Sequence, residues 1–166
     1  MVMTNNDILI RLRYALDIRD IDMVEMFKLG GVEVTKEDVQ MMLKKTYEED
    51  EYDENEEIYK INNKKLESFL NGFITFKRGK QDPKPGQASA PPSQPEPVNN
   101  MLLKKVKIAL SLTSEEMIDV LDMGGVAVSK GELGAILRKV GHKNYKVCLD
   151  RFARNFLKGL AIKYRG

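Results

Sequence analysis

GGVEVTK, at residues 30–36, returns almost unchanged as GGVAVSK at residues 124–130. Around this phrase, residues 5–45 align with residues 99–139 without a gap, and 13 of the 41 aligned pairs are identical. Most of the other pairs keep the chemical class of the side chain. Self-similarity at a fixed offset indicates a duplicated structural unit, so the chain is predicted to fold as two related halves.

A second matching block completes each unit. Residues 66–79 resemble residues 153–166 after a shift of seven positions, so the first unit carries a seven-residue insertion before its last segment. All six prolines of the chain lie between Pro83 and Pro97, and such a composition favours a flexible, extended chain. The predicted organisation is a first helical repeat at residues 1–79 with an acidic insertion at 46–60, a flexible Pro-rich linker at 80–98, and a second, basic helical repeat at 99–166.

Each unit is predicted to hold four helices, because apolar residues recur at helical spacing in four segments of both copies. Residues that accept backbone N–H bonds precede these segments. The predicted N-caps are Asn5 or Asn6, Asn99 or Asn100, Thr35, Thr113 and Ser129. The fold class is therefore all-α, with two homologous helical units of about four helices each, joined by a Pro-rich linker. Whether the units pack on each other is left open.

Glycines mark two kinds of position in the repeat. A glycine just past a helix adopts a positive φ without steric cost and satisfies the last carbonyls. The predicted turn glycines are Gly30, Gly31, Gly124 and Gly125. Gly72 and Gly159 instead fall inside a predicted helix, where glycine costs ~1 kcal/mol relative to alanine. Their repetition predicts the close approach of another helix.

The two units carry opposite charge. Residues 1–80 hold 13 basic and 17 acidic side chains, whereas residues 99–166 hold 13 basic and 6 acidic ones. Phosphate and nucleic-acid binding requires positive charge, exposed backbone N–H groups and a stacking ring, and one loop of the second unit and the helix after it supply them. The candidate binding residues are Arg138, Lys139, His142, Lys143, Asn144, Tyr145, Lys146, Arg151, Arg154, Lys158 and Arg165. A solvated basic face without a ligand is the competing interpretation.

We therefore expect a non-enzymatic binding protein that engages nucleic acid, an acidic protein or another polyanion through the basic second repeat. The first alternative is a protein–protein adaptor that uses apolar grooves between helices, and the second is an enzyme with an unrecognised site. Catalysis has little support, because no acid is fixed beside His142 by the sequence and a lone Cys148 is typical of a small buried hydrophobe. The sequence contains no phosphate loop or dinucleotide fingerprint, and no cofactor is expected.

A DNA-binding helix–turn–helix is also considered, since two helices flank the glycine turn. Two residues argue against this motif. Phe27 lies four residues before Gly31, where a small residue is needed for the helices to cross closely, and Glu37 falls where an apolar residue should face the core. An ordinary helical hairpin fits better.

Eight acidic residues crowd the insertion of the first unit, from Glu48 to Glu57. The glycine-centred loop of a calcium site is missing, and a solvated loop is the simplest interpretation. The functional hypothesis is that this segment contacts the basic second unit and competes with an external polyanion.

The composition also bears on the compartment. The single Cys148 excludes an internal disulfide and favours a reducing environment, and one Cys with one His cannot build an ordinary structural zinc site. No apolar run approaches the ~20 residues that span a bilayer, and residues 1–7 lack the layout of a signal peptide. A cytoplasmic protein without membrane or metal is expected, in an oligomeric state that the sequence does not decide.

Three stretches resemble a known family. They are NDILxxxRYALD at residues 6–17, KRG at 77–79, and GHKNY followed by RNFLKGL at 141–145 and 154–160. They are similar to the YehS-like family of small bacterial proteins, which contain two copies of a domain of unknown function. The resemblance implies a cytoplasmic bacterial protein with the duplicated architecture, and it implies no catalytic residues.

Overall fold

The computed structural model describes residues 4–43, 60–79 and 96–165, and within these ranges the chain forms eight α-helices and no strand. In chain order the helices are α1 (Asn5–Leu16), α2 (Asp20–Leu29), α3 (Lys36–Met42), α4 (Asn63–Arg78), α5 (Val98–Ala109), α6 (Ser114–Met123), α7 (Lys130–Leu137) and α8 (Asp150–Arg165). The prediction of an all-α chain with four helices in each unit is confirmed. Within the same ranges, no helix has the length and apolar character needed to cross a membrane.

Within each unit, the last helix packs against the second. α4 lies on α2 and α8 lies on α6, with α3 and α7 beside α2 and α6. A Cβ built on Gly72 would lie 1.7 Å from the backbone oxygen of Met26, and one built on Gly159 would lie 1.8 Å from that of Val120. The close helix approach predicted from these glycines is therefore confirmed, and it positions α8 within the second unit.

The repeated phrase forms the turn from the second helix of each unit to the third. Gly31 has a φ of 92°, and the N–H of Val32 bonds the carbonyl of Phe27 at 2.8 Å, which ends α2. The second copy ends α6 in the same way. Thr35 then caps α3 and Ser129 caps α7, each through its hydroxyl oxygen, as predicted. The phrase is a structural joint in both units.

The asparagine pairs do not cap the first helices, so that prediction is wrong. Thr4 caps α1 through a capping box, and Pro97 precedes α5 without a side-chain cap. Asn6 and Asn100 lie buried inside these helices. Each side-chain oxygen accepts a backbone N–H from the segment before the last helix of its unit, and each side-chain nitrogen donates to the last turn of the third helix, at Met42 or Ile136. Asn100, for example, donates to the backbone oxygen of Lys146 at 2.8 Å.

The two units pack on each other reciprocally. The first helix of each unit lies against the last helix of the other, so α1 packs on α8 and α5 packs on α4. The buried apolar side chains of both units form one continuous core. Arg78 donates to the carbonyl of Ile108 at 3.3 Å, and its repeat counterpart Arg165 donates to that of Tyr14 at 2.9 Å. The packing therefore creates two equivalent helix pairs, α1 with α8 and α5 with α4.

Candidate functional site

A groove of about 570 Å³ runs between α1 and α8. This volume lies within the roughly 300–1000 Å³ of small-ligand pockets. Each helix contributes one stripe of side chains, because residues three, four and seven positions apart share a helix face. The lining residues are Asp7, Ile10, Arg11 and Tyr14 from α1, and Arg154, Asn155, Leu157, Lys158 and Ala161 from α8. The two repeats therefore build this groove together.

Three basic side chains enter the groove. Arg11 comes from the first unit, and Arg154 and Lys158 come from the second, one helical turn apart. All three are exposed, and among the residues that the structure describes none of them forms an ion pair. Asp7 is the acidic group of the lining, and its carboxylate accepts the backbone N–H of Thr4 at 3.1 Å. The lining therefore carries net positive charge.

The equivalent helix pair, α5 with α4, has a different charge pattern. By the repeat alignment, Lys105 takes the place of Arg11, while Glu67 and Asn71 take the places of Arg154 and Lys158. The ammonium of Lys105 donates to the side-chain oxygen of Asn71 at 2.5 Å. Burial lowers the pKa of Lys105, and the nearby carboxylate of Glu67 acts in the opposite direction. In the α5–α4 pair, Lys105 thus lies beside a polar and an acidic residue, whereas the α1–α8 pair carries three cations.

An aromatic ring lies in the groove near the carboxyl-terminal end of α1. Tyr14 lines the groove and is 59% exposed. The guanidinium carbon of Arg165 lies 4.3 Å from the centre of the Tyr14 ring. A second contact holds Arg165, whose guanidinium is 3.6 Å from the carboxylate of Asp17. Arg165 therefore acts in the contact between the units and against one face of the ring.

The basic loop before α8 is mostly exposed and lies outside the groove lining. The backbone turns at Gly141, which has a φ of 91°, and the N–H of Lys146 bonds the carbonyl of Ala135 at 3.0 Å. The ring nitrogen Nδ1 of His142 accepts the backbone N–H of Asn144 at 3.1 Å. The exposed candidates are Lys139, His142, Lys143, Asn144, Lys146 and Arg151, and Arg138 is half-buried. Of the predicted site residues, the structure brings Arg154 and Lys158 into the groove and Arg165 to its end.

Tyr145 is half-buried rather than displayed to solvent. The ammonium of Lys104 lies 5.5 Å from the centre of its ring. Its hydroxyl is buried and has no hydrogen-bond partner among the described residues. Burial raises the pKa of this hydroxyl, with the charge of Glu96 acting in the same direction. The exposed ring beside the basic side chains of the groove is Tyr14, not Tyr145.

Arg11 and Tyr14 of the groove were not among the predicted binding residues, because they lie in the acidic unit. One signal was available for Arg11, which aligns with Lys105, so that both repeats carry a cation at this position. Tyr14 aligns with Ile108 and gave no such signal. The sequence could not show that α1 packs beside α8, and this packing assembles the groove.

Two further predictions concern residues away from the groove. The acidic segment from Glu48 to Glu57, expected to contact the basic unit, lies outside the described residues, as does most of the predicted linker. Cys148 is buried, and burial raises the pKa of its thiol to about 12. Because the thiolate is the reactive form, this burial disfavours a nucleophilic role for Cys148.

Comparison with known proteins places the chain in a family whose description names no activity. The family is described as "Protein of unknown function (DUF1456)", and its profile matches residues 5–79 and 99–166, which correspond to the two units. A protein of Escherichia coli (strain K12) described as "Uncharacterized protein YehS" is 40% identical over 163 residues, which cover 97% of this chain and 96% of that protein. No solved structure matches the chain significantly.

Proposed function

We propose that this member of the DUF1456 family is a non-enzymatic protein that binds nucleic acid as a polyanion. Its resemblance to YehS-like proteins predicted the family membership. The observation that supports this function is the convergence of Arg11, Arg154 and Lys158 on one groove. We place the protein in the bacterial cytoplasm, where its buried Cys148 stays reduced.

The electrostatics of the groove suit a phosphate backbone. An arginine pairs bidentately with phosphate, and a lysine adds a compact charge beside it. Binding of phosphates releases counterions from nucleic acid, which favours association at low salt. The exposed Lys139, Lys143 and Lys146 precede α8 and extend the positive surface of the second unit beyond the groove. The second repeat supplies most of the charge, and the first contributes Arg11.

The test compares the whole chain with a double variant, Arg154→Glu with Lys158→Asn. These changes install the residues that stand at the equivalent positions of the first unit, Glu67 and Asn71, so the packed helix faces are kept. Binding to a labelled single-stranded oligonucleotide of about 16 nucleotides is followed by fluorescence anisotropy. We expect the affinity of the whole chain to fall steeply between about 50 and 200 mM salt. We expect the double variant to bind at least about tenfold more weakly, since charge-assisted contacts are lost.

A matched control separates the groove from net charge. The double variant Lys28→Asn with Lys64→Glu makes the same change in charge at exposed positions that do not line the groove. It should retain nearly all of the affinity. Equal weakening by both double variants would reduce the effect to net charge alone, and no binding by the unchanged chain at low salt would reject the function.

The second candidate function is a protein–protein adaptor, which one observation favours. Val147 and Leu149 are 51% and 57% exposed, and both line a second cavity of about 480 Å³ beside Pro97. Exposed apolar side chains around a cavity are typical of a docking surface for another protein. Binding through such a surface should respond little to salt, because burial of apolar area depends weakly on ionic strength.

A further inference from the structure

We propose that the groove selects single-stranded nucleic acid, because Tyr14 offers a ring on which an unpaired base stacks while the neighbouring cations hold the phosphates. This inference rests on the proposed function and deepens it. It concerns the class of nucleic acid bound, which the positive charge of the groove does not determine, since every phosphate backbone is attracted to cations.

The surroundings of Tyr14 prepare it as a stacking platform. The guanidinium of Arg165 lies against the ring at 4.3 Å, and it is held in place by the backbone oxygen of Tyr14 at 2.9 Å and by Asp17. Because Tyr14 is 59% exposed, the ring remains accessible within the groove. A base stacked on the open face would continue the order guanidinium, ring, base. Stacking of this kind is the usual source of affinity for single strands, since every base has an aromatic face.

The ring and the three cations line the same groove, from both of its walls. Arg11 precedes Tyr14 by three residues on α1, which places it about 4.5 Å along the helix axis. Lys158 and Arg154 line the groove from α8, and the apolar Ile10 contributes to the lining from α1. In a duplex, paired bases are stacked inside and offer no free face to Tyr14. The single strand is the form that can engage the ring and the cations together.

The repeat gives independent support. Ile108 occupies the position of Tyr14 in the second unit, although Arg78 makes there the same carbonyl contact that Arg165 makes to Tyr14. The arginine contact therefore belongs to the packing of the units, whereas the aromatic ring does not. The ring occurs on the helix pair with the unpaired cations, and the pair with matched charges lacks it. The three cations and the aromatic ring, which together distinguish this pair from its repeat counterpart, therefore occur on the same helix pair, α1 with α8.

The test compares two single-stranded oligonucleotides of equal length, one with bases and one with abasic sites, against the whole chain. We expect the base-containing strand to bind about tenfold more tightly, as stacking on one ring provides. Tyr14→Ile copies the residue of the other unit and should bind both strands equally. Tyr14→Phe keeps the ring and should retain the preference. Thermal unfolding of both variants checks that they fold like the unchanged protein.

The outcomes separate this inference from the function on which it rests. If both strands bind equally to the unchanged protein, while Arg154→Glu with Lys158→Asn weakens both, the stacking inference is overturned and polyanion binding stands. Tighter binding of a duplex of the same sequence would also overturn it. If neither strand binds at low salt, the proposed function and this inference both fail.

Discussion

The side-chain oxygen of Asn100 accepts a hydrogen bond from the backbone N–H of Cys148 at 2.7 Å, inside the second unit. The amide nitrogen of the same side chain donates to two further backbone oxygens. One buried residue thereby joins α5, α7 and the segment that leads into α8. Asn6 makes the equivalent bond to the N–H of Ile61 at 3.0 Å, so the contact is part of the repeat. It fixes the point at which α8, one wall of the groove, begins.

Replacement of Asn100 by alanine should strongly destabilise the protein. The change leaves the N–H of Cys148 and the carbonyls of Ile136 and Lys146 without their partner in a buried site. Unsatisfied buried groups of this kind cost ~2–3 kcal/mol in the free energy of unfolding. Urea unfolding followed by circular dichroism measures the loss. Asn144→Ala, at an exposed position, is the control and should change the stability by less than ~0.5 kcal/mol. Similar values for the two variants would contradict the role of Asn100.

Two glycine-to-alanine changes should act in opposite directions. Gly159→Ala would place a Cβ 1.8 Å from the backbone oxygen of Val120, so α6 and α8 would have to separate. We expect a loss of ~3 kcal/mol, the upper part of the usual range for overpacking. Gly134→Ala, in the interior of α7, meets nothing within 4 Å and should raise the stability by ~0.5–1 kcal/mol. Thermal melts of both variants measure the difference, and a stable Gly159→Ala protein would refute the close packing of the two helices.

The buried thiol of Cys148 should make the stability depend on pH in the alkaline range. Its pKa is raised by burial from the ordinary 9.0 to about 12, with the charge of Asp150 acting in the same direction. Below the unfolded pKa, both states hold the proton and the contribution is complete. As the pH rises above about 9, the unfolded state loses its proton first, so the stability falls by up to ~1.4 kcal/mol per pH unit.

The variant Cys148→Ala isolates this effect, because other groups that titrate in the same range are present in both proteins. The stability advantage of the unchanged protein over the variant should shrink between pH 8 and 10. Urea unfolding at several pH values measures both free energies. An advantage that stays constant with pH would show that the thiol is not kept protonated by its surroundings.

Local patterns predicted most of the fold. The helices, the glycine turn and the hydroxyl caps depend on residues within one or two turns of each other, and the repeat provided a second example of each. The role of Asn100 could not be found this way, since an asparagine at the start of an apolar segment suggests a cap in any sequence. Its true partner, the N–H of Cys148, is 48 positions away. Only the tertiary fold distinguishes the two roles.

The sequence indicated only part of the candidate site, again because contacts between distant residues cannot be inferred from local patterns. Arg154 and Lys158 are four positions apart, so the sequence alone places them on one helix face. The opposite wall comes from the other unit, and the contact between Arg165 and Tyr14 spans 151 positions. The charge counts also placed the predicted site in the basic unit, and this left out Arg11 of the first unit. Charge counts describe a segment, whereas a site is assembled by packing.

The reciprocal packing predicts that the second unit, expressed alone as residues 99–166, forms a homodimer. The faces of α5 and α8 that pack on the first unit would be exposed in a monomer, and a second copy offers equivalent faces to cover them. In such a dimer, Lys105 of one copy would meet Arg154 and Lys158 of the other, as Arg11 does in the intact chain. Repulsion between these cations should weaken the dimer at low salt, and salt should strengthen it.

The charge pattern of the other helix pair supplies the comparison. In residues 99–166 carrying Arg154→Glu and Lys158→Asn, Lys105 would meet an acid and an amide, as it meets Glu67 and Asn71 in the intact chain. This variant should dimerise at lower protein concentration than the unchanged unit and should depend less on salt. Analytical ultracentrifugation at low and moderate salt measures both association constants. A folded monomer at every concentration, for either protein, would show that the packing between the repeats does not hold the units together by itself.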